Sequence, residues 1–225
     1  MITPTLETLR DLLDTRAGGL LRRGSHLPPT DDGQCQCCAR ELLALALGGP
    51  WTDQPDGNSS TDHAVTVLND AQWSSDEVRT AHCLPLAVLR EADAASGWTE
   101  RYVLRTIREI LPIVLRTAGL DDHADRCAAA ADLPAAYVAA RAAYVTARAA
   151  AAAYVAARAA ADADTPAAYV AARAAAVAYV AADADTPAAY VAARAAARVA
   201  SFSSADANRV LALSAKILRE CHTGE

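Results

Sequence analysis

ADADTPAAYVAARAA at 161–175 recurs unchanged at 182–196, a period of 21 residues, within a stretch from Pro134 to Ala200 that is more than half Ala. Alanine loses no side-chain entropy in a helix and offers the backbone no competing hydrogen bond, so this stretch is expected to be helical. Each copy holds Thr then Pro, at 165–166 and 186–187, and Leu133-Pro134 is a degenerate earlier copy. Thr as N-cap with Pro at the first helical position starts a helix cleanly, whereas Pro inside a continuing helix costs about 3 kcal/mol. Separate helices over 134–162, 166–183 and 187–200 follow. One long helix kinked at each Pro is the competing arrangement, because no Gly supplies the C-terminal caps of sharp reversals.

At 100° per residue the first of these helices has a thick side, with Tyr137, Arg141, Tyr144, Arg148 and Val155, and a thin side of Ala apart from Thr146. The thin side suits close helix contact. On the thick side Tyr-Val-x-x-Arg recurs at 137, 144, 154, 169 and 190, and at 179 the Arg is replaced by Asp183. An i,i+4 spacing lets the guanidinium lie over the phenol ring. Tyr and Arg are also frequent binding hot spots. Tyr137, Arg141, Tyr144, Arg148, Tyr154, Arg158, Tyr169, Arg173, Tyr190 and Arg194 are therefore the candidate protein-binding residues, against the plainer reading of Tyr as core and Arg as solvated edge. An Ala methyl contributes at most about 0.8 kcal/mol while ordering a residue costs about 1 to 2 kcal/mol. Alanines alone cannot hold the arm folded, so its Tyr and Val side chains must bury against the body, the terminal helix or a second copy.

Outside the repeat, helix signals recur and no stretch shows sustained strand-like alternation. The fold class is all-α: a helical body over 1–133, the repeat arm over 134–200, and an amphipathic helix within 201–225 that packs on the arm or body. Thr3 before Pro4 is read as the first N-cap, followed by Leu6, Leu9, Leu12 and Leu13 and a stop at Gly18-Gly19. Further starts are read at Cys37, at Thr61, at Ser74 with Glu77 as a capping box, at Thr99, and at Asp121 or Asp122. The Thr99 helix has the strongest apolar stripe, from Val103 to Leu115, with a kink expected at Pro112 and a stop at Gly119. Ser203 or Ser204 opens the last helix, with Val210, Leu211, Leu213, Ile217 and Leu218 mainly on one face.

Charge separates the parts. Residues 1–133 hold 12 basic against 20 acidic side chains, 134–200 hold 6 against 4, and the tail is neutral. Without a concentrated basic surface, duplex nucleic acid is not an expected partner. The start lacks the basic and apolar regions of a signal peptide, and no long uncharged apolar run suits a membrane, so a cytoplasmic location is expected. Six cysteines, at 35, 37, 38, 83, 127 and 221, are read as mostly reduced. Cys35 and Cys38 have Cys-x-x-Cys spacing, and His82-Cys83 would complete a four-ligand zinc set, the one cofactor this pattern admits. Buried small hydrophobes at a helix start are the commoner explanation of such cysteines. A thiol at the start of that helix would have its thiolate favoured by the dipole. His63 near Asp62 and Asp70, and His123 near Asp121, Asp122 and Asp125, are weighed as acid–base clusters against ordinary caps. Asp53, Asp56 and Asp70 are weighed as cation ligands, though no loop has calcium-binding spacing. No phosphate loop, nucleophile elbow or zinc-protease motif occurs.

CQCCARELLALALGGPWTDQPDG at 35–57 and TVLNDAQWSSDEVRTAHCLPL at 66–86, followed by the Ala/Tyr/Arg tail, resemble a group of uncharacterised alanine-rich bacterial proteins of actinobacterial type. That resemblance implies no activity. The tail is also similar in composition to bacterial immunity proteins of polymorphic toxin systems, which implies toxin neutralisation as one function. The residues themselves point away from an enzyme and toward a helical scaffold that self-associates as a homo-oligomer or binds another protein through the arm; a zinc-binding protein or enzyme is the alternative.

Overall fold

The computed structural model describes residues 4–23, 28–31, 33–57, 59–117, 119–158 and 204–225. Its regular structure there is all helix, with no strand among the described residues. In order come α1 (Leu6–Arg16), α2 (Ala39–Ala46), α3 (Ser60–Asn69), α4 (Asp76–Ala87), a 3₁₀ turn (Glu91–Asp93) and α5 (Trp98–Arg105). A π turn (Thr106–Ile110) then leads to α6 (Leu111–Thr117), α7 (Asp121–Ala128), α8 (Leu133–Arg158) and α9 (Ser204–Thr223).

The helix starts depart from the sequence reading by small steps with clear causes. Thr3 lies outside the described residues, and the first N-cap is Thr5, whose hydroxyl accepts from Thr8 N at 3.2 Å. Ser59 rather than Thr61 caps α3, because Asp62 three residues later can return the bond to the Ser59 backbone. Ser75 rather than Ser74 caps α4, and Ser74 instead bonds Asn208 of α9. Gly97 rather than Thr99 stands before α5; its φ of +67° is a conformation that few other residues tolerate. Leu120 rather than Asp121 or Asp122 stands at the start of α7 and gives no side-chain cap. Just ahead of Pro112, where a kink is expected, α5 and α6 follow one another through the π turn. A π turn is a common way to absorb a local mismatch in a helix.

One apolar cluster joins all these helices. Leu9 and Leu13 of α1, Leu42 of α2, Val65 and Leu68 of α3, Leu84 and Leu86 of α4, and Tyr102, Ile107 and Leu115 of the α5–α6 rod are buried in it. Leu211, Ile217 and Leu218 of α9 join the same cluster, since α9 packs on α3, α4 and α5 of the body. The chain between α1 and α2 is fastened by polar bonds, Leu21 N to Thr80 Oγ1 at 2.9 Å and Arg22 N to the Cys37 carbonyl at 2.9 Å. The expected first arm helix is present as α8, with Asp132 Oδ1 accepting from Ala135 N at 2.8 Å at its start. The Thr165-Pro166 and Thr186-Pro187 starts lie outside the described residues. Among the described residues no helix is long and apolar enough to cross a membrane.

Candidate functional site

The four residues read as a zinc set occupy separate roles. Cys38 is the N-cap of α2: its sulfur accepts from Glu41 N at 3.5 Å, and Glu41 Oε2 accepts from Cys38 N at 2.9 Å. Cys83 is buried in α4, and its neighbour His82 stacks on Trp73 with ring centroids 5.3 Å apart. Cys35 is half-buried in the segment before α2, where its N–H donates to the Arg16 carbonyl at 2.8 Å. Among the described residues no three His, Cys, Asp or Glu side chains are grouped to hold a metal ion. All six cysteines are free thiols. Burial pushes the Cys35, Cys37, Cys38 and Cys83 thiols up in pKa. Desolvation therefore overrides the dipole expected to favour a thiolate at the start of α2.

The densest polar constellation is one the sequence reading missed. Arg40, in the first turn of α2, is completely buried. Its Nε donates to Asp62 Oδ1 at 2.7 Å, one terminal nitrogen donates to the Leu89 carbonyl at 2.6 Å, and the other donates to Asp56 Oδ2 at 2.8 Å and to Asp62 Oδ1. Asp56 also accepts from Arg90 Nε at 3.1 Å and from Glu91 N at 3.1 Å. Asp62 serves twice, since its second oxygen accepts from the Asp56 and Ser59 amides at 3.1 and 3.3 Å. A buried guanidinium survives only if its donors are taken, and here four bonds and two carboxylates take them. The sequence signal was an Arg-Glu pair inside the otherwise apolar CCARELLALAL, charged residues where a core face was due.

A second line of bonds extends this junction to α9. Glu91 Oε2 accepts from Thr61 N at 2.9 Å and Thr61 Oγ1 at 2.7 Å, and Thr61 Oγ1 lies 3.1 Å from His222 Nε2. Since the threonine proton goes to Glu91, His222 is the donor to Thr61. Burial lowers the His222 pKa, opposed by the Glu91 charge, and Trp98 covers the ring at 5.2 Å. His63, weighed as a base, bonds the Ser59 carbonyl through Nδ1 at 2.9 Å instead. Asp62 and Asp56, weighed with His63 or as cation ligands, are bound by Arg40. His123 keeps a buried Nδ1 without a partner.

The described part of the repeat is asymmetric. Ala136, Ala139, Ala140 and Ala143 form a buried stripe on α8, which lies against α5, the π turn and α7. The thin face is thus the docking face. Tyr137 and Tyr144 flank it, each half-buried against the core, and burial next to Glu100 raises the Tyr137 pKa. Arg141 is exposed. Val138 and Val145, on the side away from the body, are 71 % and 58 % exposed. Arg148, Tyr154 and Arg158 lie on α8 with side chains outside the described set, and Tyr169, Arg173, Tyr190 and Arg194 lie outside the described residues.

Compared with protein-family models, with curated proteins and with solved structures, the chain matches none.

Proposed function

We propose that this chain is a non-catalytic helical scaffold that binds protein, in the first instance a second copy of itself, through the Ala/Tyr/Arg repeat. The observation that carries this reading is the outer line of α8. Among the described residues only Leu6, Val138 and Val145 are large apolar side chains left exposed, and two of the three share that line. They stand seven residues apart with the exposed Arg141 between them, an apolar strip edged by a residue type favoured at interfaces. The alanine stripe on the opposite side is already used by the body, which leaves this strip as the binding face. Light scattering of the full chain across a wide concentration range tests the reading. The wild type is expected above the weight of one chain, and Val138→Glu with Val145→Glu is expected at that weight with unchanged helicity. A wild type that stays monomeric at hundreds of micromolar overturns self-assembly through the arm.

A further inference from the structure

α4 and α9 run side by side in the same direction, pinned near their starts where Ser74 N donates to Asn208 Oδ1 at 3.1 Å and Asn208 Nδ2 donates to Ser74 Oγ at 2.6 Å. Farther along they part around an open groove of about 380 Å³. Pro85 and Leu86 on α4 and Leu213 on α9 give it an apolar lining, with alanines between that keep it from filling. His82 stands on one wall, and Lys216 and Arg219 on the other. Arg219 makes no ion pair among the described residues. Lys216 is only loosely held: it lies 3.7 Å from Glu220, whose other oxygen is bound by Arg105 at 2.6 Å. Two available cations beside an apolar trough stand out on a chain of net charge −6. The repeat is a poor occupant, because 134–200 carry a net positive charge themselves.

We propose that this groove binds an amphipathic organic carboxylate with an unbranched apolar tail. The carboxylate sits between Lys216 and Arg219, and the tail lies along Leu213, Leu86 and Pro85. From Ala212 to Arg219 the α9 wall is about 10 Å long at the helical rise, which suits a ligand of about eight to ten carbons with its carboxylate included. The volume falls within the range of small-molecule sites, and an apolar lining with a few convergent polar groups is their usual make-up. This inference is independent of the outer line of α8.

Decanoate is the probe, titrated below its micelle concentration into the full chain while backbone amide shifts are followed by NMR. Saturable shifts at Leu213, Ala215 and Arg219 with a Kd below about 1 mM are expected. Lys216→Gln with Arg219→Gln is expected to weaken binding about tenfold, in keeping with two exposed charge contacts. Ala81→Trp, at an exposed lining position, is expected to abolish it while the remaining spectrum is unchanged. Decanol is expected to bind more weakly than decanoate, and decyltrimethylammonium not to saturate. Absence of saturable binding below about 1 mM overturns the proposal, as does equal affinity for the cationic analogue or for the double Gln variant.

Discussion

Two junctions hold helices onto this body, and they do so by opposite chemistry. Where α2, α3, the 3₁₀ turn and α9 meet, the buried groups are Arg40, Asp62, Thr61 and His222, each bonded in a fixed direction. Where α8 meets α5 and α7, the buried groups that α8 brings are the methyls of Ala136, Ala139, Ala140 and Ala143. The polar junction is specific, because displacing any member strands a buried charge or donor. The methyl junction has little directional content, and its contribution comes from closeness of approach. The difference teaches that one chain can fix its architecture at one end and present a generic, repeatable packing surface at the other.

The sharpest way to break this contrast is at Arg40. Arg40→Met keeps most of the volume but leaves Asp62 and Asp56 without their buried partner, so a loss of about 3 to 5 kcal/mol is expected from urea unfolding. That is a large share of the stability of a typical domain. A loss below 1 kcal/mol would show that the cluster is not the fastening point. At the methyl junction Ala140→Leu forces a larger side chain into a closed contact, with an expected cost of about 1 to 3 kcal/mol. Hydrogen exchange should place that loss mainly in α8, whereas the Arg40 variant should lose protection in α2, α3 and α9 together.

The smallest effect expected is that of pH. Because the folded chain holds the His222 pKa below its ordinary 6.5, the unfolded chain takes up the proton first as pH falls. The stability associated with a neutral His222 is complete above about pH 6.5 and is lost as pH falls toward the depressed folded value. His222→Gln should flatten the dependence of urea midpoint on pH over this window. An unchanged slope would mean that the ring is not titrating against Glu91 and the buried junction.

Much of the body was legible because its apolar residues keep helical period. Val103, Ile107, Ile110, Leu111, Val114 and Leu115 are all buried, as their spacing required, and Leu104 is partly so. Helix starts were misplaced by a residue or two where several hydroxyl or carboxyl side chains stood in a row. Ser59, Ser60, Thr61 and Asp62 are all good caps in isolation, and only the reciprocal bond from Asp62 decides among them. The residues of the zinc reading take separate places, since adjacent residues such as His82 and Cys83 leave a helix about 100° apart. The Arg40 cluster was hidden for a different reason. Its members lie 16, 22 and 49 residues from Arg40 in the chain, and nothing local announces that they meet. In the arm, the described part of α8 buries Ala136, Ala139, Ala140 and Ala143, and the two exact repeat copies lie outside the described residues.

Thr61 and His222 are 161 positions apart, with the whole alanine-rich stretch between them. During synthesis on a ribosome, α3 and α4 therefore emerge long before the helix that completes their cover. Leu84 and Leu86 must wait with part of their hydrophobic surroundings missing while more than a hundred further residues are made. A growing chain in that condition invites off-pathway association. Closing so large an intervening span is an entropic burden that grows only slowly with its length, so the delay is mainly one of timing. In this sense α9 is the latch of α3, α4 and α5.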